Sequence, residues 1–210
     1  MAVSYAWEGN RHADTYDWGG LTVQALVRKE IPSWGLILDV GPGWGKYHLL
    51  LPEYTMDACE IWEPYVEQER LREMYREVFV GDICELAEDT RCPLYDAVIL
   101  GDVLEHIERA RAKRLLKALM ARHGLVLAVI PYEYEQGPEH GNPHQRHLQA
   151  DLTPEIMAAE YPSLALVDAE IRAGRPFKGL YRSEQALESD GLAWASWACR
   201  VRWSWPSTTR

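Results

Sequence analysis

The run Ile37-Leu38-Asp39-Val40-Gly41-Pro42-Gly43-Trp44-Gly45-Lys46 constrains this chain more than any other segment. Its first four residues are a short, largely apolar run that reads as a buried strand. Three glycines at alternate positions then make a tight turn, and residues 46–51, stopped by Pro52, read as a short helix. A strand, a glycine turn and a helix in that order place backbone N–H groups and a helix N-terminus at one mouth of a sheet. Glycine is needed there because a side chain would collide with an approaching ligand or force an unfavourable φ. Many turns hold two glycines, so the rest of the chain has to supply the context.

That context is an alternation. Residues 21–30 have helical spacing at Leu21, Ala25 and Leu26 and stop at Ile31-Pro32. Residues 56–61 read as a second strand, and residues 64–75 as one amphipathic helix carrying Val66, Leu71 and Met74, with Pro64 in its first turn. A third strand at 77–80 closes on Gly81-Asp82. A fourth at 95–100 is apolar enough for the centre of a parallel sheet. A basic helix at 110–122 leads to a fifth strand at 124–130. Strands alternating with helices at this spacing predict a doubly wound parallel sheet. Residues 132–150 form a long loop rich in Gly, Pro, His and Asn, and loops of that length in a compact domain are usually functional or disordered. A helix at 154–161 and strands at 164–172 and 177–182 follow. The aromatic segment 194–205, alternating around Val201, Trp203 and Trp205, reads as a terminal strand or a packed tail.

A chain of 210 residues suits one domain with its own core. No apolar run approaches the roughly 20 residues that span a bilayer, and residues 1–10 lack a cleavable leader pattern, so no membrane partner and a cytoplasmic location are expected. Cys59, Cys84, Cys92 and Cys199 are scattered and read as reduced thiols. The formal net charge of −10 offers nucleic acid no general attraction, so no nucleic-acid partner is expected. Arg109, Arg111, Lys113, Arg114, Lys117 and Arg122 alternate with Leu115, Leu116, Leu119 and Met120, as the solvated face of an amphipathic helix does.

About twenty residues beyond the glycine turn, Glu60 ends the second strand, positioned to accept hydrogen bonds from ribose hydroxyls. A dinucleotide fingerprint would put its third glycine at position 46, which is Lys46, so a nicotinamide oxidoreductase is disfavoured. The glycine spacing, together with "LDVGPGWGKY", "CEIWEPYV", "VGDICE" and "YDAVILGDVLEHIE", resembles the class I S-adenosylmethionine-dependent methyltransferases over residues 35–131. The resemblance implies a Rossmann-like, mostly parallel seven-stranded sheet with helices on both faces. It implies S-adenosyl-L-methionine as cofactor and S-adenosyl-L-homocysteine as product. On these motifs Gly41, Gly43 and Gly45 line the methionine part, supported by Asp39. Glu60 binds the ribose diol, Ile61 or Trp62 packs on the adenine, and Asp82 and the Ile83 N–H meet its edge. Gly101 and Asp102 lie beside the sulfonium. The expected organisation is one domain, with a helical cap (1–34), a cofactor core (35–131) and an acceptor-side loop with C-terminal strands (132–210).

Methyl transfer needs in-line approach by a held, partly desolvated nucleophile, with a base only where the acceptor proton has a high pKa. Asp102, His106, His147 and Tyr132 are the catalytic candidates, with Glu105, His140 and His144 nearby in sequence. The Asp102-Val-Leu-Glu105-His106 segment reads first as structural, with no metal. It also resembles an acid-x-x-Glu-His motif that binds a divalent ion in some small-RNA 2′-O-methyltransferases and ubiquinone-pathway O-methyltransferases, with His144 or His147 as a later ligand. His147 suits a general base near neutral pH. The reading is a methyltransferase acting on an oxygen or nitrogen of a small-molecule acceptor. A metal-assisted RNA 2′-O-methyltransferase and a non-catalytic cofactor-binding subunit are the alternatives, and a homodimer through the aromatic C-terminal segment stays open.

Overall fold

The computed structural model describes residues 19–184. The expected terminal strand at 194–205, Cys199 and the first half of the N-terminal cap lie outside them.

Helix α1 (Gly20–Glu30) precedes strand β1 (Leu36–Val40), and helix α2 (Lys46–Leu50) leads to β2 (Thr55–Glu60). Two short helices, α3 (Glu63–Gln68) and α4 (Leu71–Met74), connect to β3 (Val78–Val80), followed by a one-turn helix α5 (Ile83–Leu86). Strand β4 (Ala97–Gly101) runs into a 3-10 turn at Leu104–His106, then α6 (Arg109–Arg122) and β5 (Leu125–Pro131). Helix α7 (Pro154–Glu160) and the hairpin β6 (Leu164–Arg172) and β7 (Arg175–Ser183) complete the described chain.

The strands form one seven-stranded sheet in the order β3-β2-β1-β4-β5-β7-β6. All pairings from β3 to β5 are parallel, and β7 inserts antiparallel between β5 and β6. The doubly wound, mostly parallel sheet expected from the alternation is therefore present. A two-residue turn at Ala173-Gly174, both with positive φ, closes the β6–β7 hairpin, the geometry that matches strand twist.

Both faces of the central strands are buried, which is why they read as continuous apolar runs. Leu38, Val40, Val98, Leu100, Val126, Ala128 and Ile130 pack on the side of α6 and α7. Their alternates Ile37, Ala97, Ile99, Leu125, Leu127 and Val129 pack with Val23 and Val27 of α1 and Tyr47 of α2. The order reverses between β1 and β4, so their carboxyl ends open a crevice at Gly41 and Asp102, where ligands bind in open α/β sheets.

One expected helix breaks in two. Residues 64–75 turn at Arg70, whose φ is 57°. Val66 and Leu71 are both buried, yet five positions apart on a straight helix they face about 140° away from each other. The turn at Arg70 brings Leu71 back onto the sheet. The basic face of α6 is tied down more than a solvated face would be. Arg109 pairs with Asp151 at 2.6 Å, Arg111 with Asp82 at 2.7 Å, and Lys113 with Glu160. Arg122 donates to the Ala87, Asp89 and Cys92 carbonyls, whereas Arg114 and Lys117 are exposed. Cys59, Cys84 and Cys92 are free and buried. Among the described residues no helix is long and apolar enough to cross a membrane.

Candidate cofactor and acceptor site

A cavity of about 360 Å³ runs along the carboxyl ends of β1, β2 and β4, from Glu60, Ile61, Asp82 and Ile83 to Gly101, Asp102 and His106. Its far wall is the loop after β5, through Gln136, His140, Asn142, His144 and Gln145.

At the end formed by β1 and β2 the glycine turn is held by a Gly41 N–H bond to the Cys59 carbonyl at 2.9 Å. Gly41 has φ 60°, and a Cβ there would stand 2.9 Å from Val103 Cγ2, so both conformation and space ask for glycine. Gly41 and Gly43 line the cavity, whereas Gly45 precedes α2 as its N-cap, against Met74. Asp39 lies beneath the turn, fully buried. Its Oδ2 accepts from the Tyr75 hydroxyl at 2.7 Å and its Oδ1 has no partner. Burial raises its carboxyl to about 7, against the Tyr75 hydrogen bond and the Lys46 charge. Glu60 is also buried, and burial lifts it to about 7, although its Oε1 accepts from the Trp62 N–H at 2.7 Å.

Asp82 departs from a simple adenine acceptor. Its Oδ1 caps α5 through the Cys84 N–H at 2.8 Å, and its Oδ2 pairs with Arg111 at 2.7 Å. A carboxylate oxygen carries two lone pairs, so an amino group can still be accepted, beside a guanidinium that also lines the cavity. Ile61 lines the wall, and the Trp62 ring faces His144 with centroids 6.0 Å apart.

The surroundings of Asp102 and His106, at the other end, are assembled from three distant segments. Asp102 follows β4 in the left-handed region (φ 56°), an uncommon state for a residue with a side chain. Lys178 on β7, itself buried, donates to Asp102 Oδ1 at 2.7 Å, and Asp102 Oδ2 has no partner. Glu105 is buried, with neither carboxylate oxygen partnered. Its carboxyl is held well above the usual range, first by burial and then by the Asp102 charge, with Lys178 acting in the opposite sense. The Glu105 carbonyl accepts from the Leu148 and Gln149 N–H groups at 2.9 and 3.0 Å, which fastens the end of the long loop beneath the 3-10 turn.

That fastening brings His147 to His106, with ring centroids 4.6 Å apart. His106 Nδ1 lies 3.1 Å from the Arg146 carbonyl and His147 Nδ1 2.7 Å from the Tyr134 carbonyl. A carbonyl only accepts, so each Nδ1 carries the proton and each Nε2 presents a lone pair. Burial lowers His106 to about 4, helped by the neighbouring His147, and lowers His147 as well, so both are neutral at pH 7. Ligand atoms of Glu105, His106 and His147 lie within 4.8 Å of one another. His144 and His140 line the cavity wall and stand outside this group.

Of the four catalytic candidates, Asp102 and His106 line the cavity, His147 is not in its wall but packs on His106, and Tyr132 does neither. Tyr132 is buried in the core with its hydroxyl bonded to that of Tyr181, and it is not part of the cavity wall. Gly179 makes room for it: a Cβ there would sit 1.8 Å from the Tyr132 hydroxyl. Sequence reasoning missed Lys178, Tyr75, Arg111 and Gln149. Gln149 is buried and donates to the Leu104 and Ile107 carbonyls, both at 2.9 Å. The one available signal for Lys178 was a lysine inside the expected strand Phe-Lys-Gly-Leu-Tyr.

No family model matches the sequence, and no curated protein matches it. Solved structures do. The N-terminal domain of EvdMO1 with SAH bound aligns with TM-score 0.61 and 16% identity over 84% of this chain and 85% of that one. An S-adenosylmethionine-dependent methyltransferase from Clostridium acetobutylicum aligns at 0.60 and 11%, over 82% and 92%. The methyltransferase domain of bacterial CtHen1 aligns at 0.57 and 19%, over 78% and 96%. The chain has the fold of the class I S-adenosylmethionine-dependent methyltransferases.

Proposed function

We propose that the protein is a methyltransferase that takes S-adenosylmethionine as methyl donor and acts on an oxygen or nitrogen of a small-molecule acceptor. The observation that carries this reading is the single cavity joining two unlike ends. The buried Glu60 stands at one, with unpartnered Asp39 Oδ1 buried beneath the glycine turn beside it, and Asp102 and His106 stand at the other. Asp39 suits the donor's ammonium and Glu60 its ribose hydroxyls, as buried carboxylates lacking a full set of partners would. The bound donor would supply an electrophilic methyl on a sulfonium. The chain's own residues then have to hold an acceptor in line, exclude water and receive a proton. His147, held neutral by burial and packed against His106 of the cavity wall, presents an unprotonated Nε2 that could do the last. The ion-paired basic face of α6 and the net charge of −10 favour a small acceptor over RNA. Binding of S-adenosylhomocysteine by calorimetry, followed by transfer of labelled methyl to panels of small hydroxyl and amine compounds and of RNA, tests it. Transfer to RNA alone would overturn the choice of acceptor.

One observation favours a second reading of the same site, in which His147 Nε2 is a ligand instead of the base. Glu105 offers two buried, unpartnered oxygens, and the two imidazoles have their Nδ1–H groups held by backbone carbonyls, the arrangement that fixes metal-ligating histidines. These residues fit a divalent ion that would polarise an acceptor hydroxyl and ease its deprotonation. A mixed carboxylate and imidazole set suits Mn²⁺ or Fe²⁺ better than Mg²⁺. Turnover unchanged after exhaustive chelation would remove the metal from the mechanism and leave His147 as the base.

A further inference from the structure

Asp102 stands three residues before Glu105, yet it is not among the residues whose ligand atoms converge. Its occupied oxygen belongs to Lys178. Lys178 reaches the site from β7, opposite Pro131 of β5, and is 5% exposed. A buried ammonium needs its counter-ion, because removing one partner of a buried pair leaves an uncompensated charge. A cation taking the free Asp102 Oδ2 would lie across one carboxylate from the Lys178 ammonium, and one taking Oδ1 would have to detach it, and both are unfavourable.

We propose that Lys178 withholds Asp102 from the metal centre, so that the ion is held by three protein ligands, the Glu105 carboxylate and the imidazoles of His106 and His147. This inference rests on the metal reading above. Lys178 is on this view a positioning residue that sets how tightly the site holds its ion and how much of the ion's coordination sphere is left to the acceptor. One carboxylate and two imidazoles with open positions is a set associated with Fe²⁺ and, by the same donor chemistry, Mn²⁺.

The test is a double-mutant cycle on the full-length protein, read as Mn²⁺ affinity by electron paramagnetic resonance of the free ion and by calorimetry, with no substrate present. Lys178→Met, which removes a like charge and releases Asp102, should tighten Mn²⁺ binding about tenfold or more. In Asp102→Asn/Lys178→Met that gain should shrink to about threefold or less, because the released carboxylate is what produces it. Asp102→Asn alone should weaken binding no more than about tenfold, as a charge outside the inner sphere does. Glu105→Gln should exceed the about 10- to 100-fold loss that follows removal of an outer partner. Equal losses for Asp102→Asn and Glu105→Gln would overturn the proposal, as would Lys178→Met leaving affinity unchanged with its melting temperature intact. If Lys178→Met melts too low to titrate, the comparison of Asp102→Asn with Glu105→Gln decides alone. A wild-type protein and a Lys178→Met variant that both fail to bind Mn²⁺ would remove the metal reading itself, a result distinct from the failure of Lys178's role.

Discussion

The two ends of the cavity are built in different ways. At the end proposed for the cofactor the groups are close in sequence: the Gly41–Gly45 turn, Glu60 on the next strand and Asp82 after the one beyond, each at the carboxyl end of a parallel strand. At the end proposed for the acceptor Glu105 and His106 meet His147, held by contacts that span about forty residues, and Asp102 meets Lys178, 76 residues away. The first end is set by local backbone geometry. The second exists only once the long loop and the antiparallel β7 have docked. Ligand binding and chemistry should therefore be separable by mutation.

The widest separation is expected at His147. His147→Ala should lower turnover by about a hundred- to ten-thousandfold, the range for loss of a positioned acid or base, while the S-adenosylhomocysteine dissociation constant moves about threefold at most. Equal losses in steady-state turnover and calorimetric affinity would break the contrast. Glu60→Ala is its mirror. Loss of a buried charged acceptor of hydroxyl groups should weaken S-adenosylhomocysteine by about a hundredfold, with the Mn²⁺ affinity unmoved.

The pH dependence sharpens the cofactor end. Asp39 and Glu60 are both raised to about 7 in the ligand-free protein. A cationic ammonium needs ionised Asp39, so affinity is full above pH 7 and falls as pH drops through it, by up to about tenfold per unit. Stability of the ligand-free protein has the opposite sign. The folded state binds more protons than the unfolded one between about pH 4 and 7, so the melting temperature should drop as pH rises through that window. Calorimetry in buffers of different ionisation enthalpy and melting curves from pH 5 to 8 would read both effects.

Two smaller effects close the series. Arg111→Ala, at a partly exposed pair, should weaken S-adenosylhomocysteine about fivefold or less, with no change in acceptor KM. Tyr132→Phe should leave turnover intact and cost about 1 kcal/mol of stability in chemical denaturation, as loss of one buried hydrogen bond does.

The same contrast explains what could be read from residues. The strand and helix pattern announced the sheet, because β1, β4 and β5 bury both faces and so print as apolar runs, interrupted in β1 only by Asp39. The Asp39, Gly41, Gly43 and Glu60 positions were legible because their geometry is local to a strand end. Tyr132 misled because the end of β5 was taken to face the cavity, whereas Gly179 on β7 opens a slot that takes its ring into the core. Glu105, His106 and His147 were visible as residue types, but three histidines share the loop. Only the docking of Leu148 and Gln149 on the Glu105 carbonyl selects His147. Lys178 could not be found from spacing at all, since an antiparallel return strand leaves no periodic mark on the segment it joins.

Asp102 carries a backbone conformation that residues with side chains seldom hold. Aspartate, asparagine and glycine tolerate it, and longer or branched residues do so at a cost. Evolutionary drift at this point between donor and acceptor thus has a short menu: a carboxylate, its neutral amide, or nothing. The backbone accepts all three, but the amide and glycine would leave the buried Lys178 ammonium without its counter-ion, so a lineage that changed the charge here would have to change Lys178 with it.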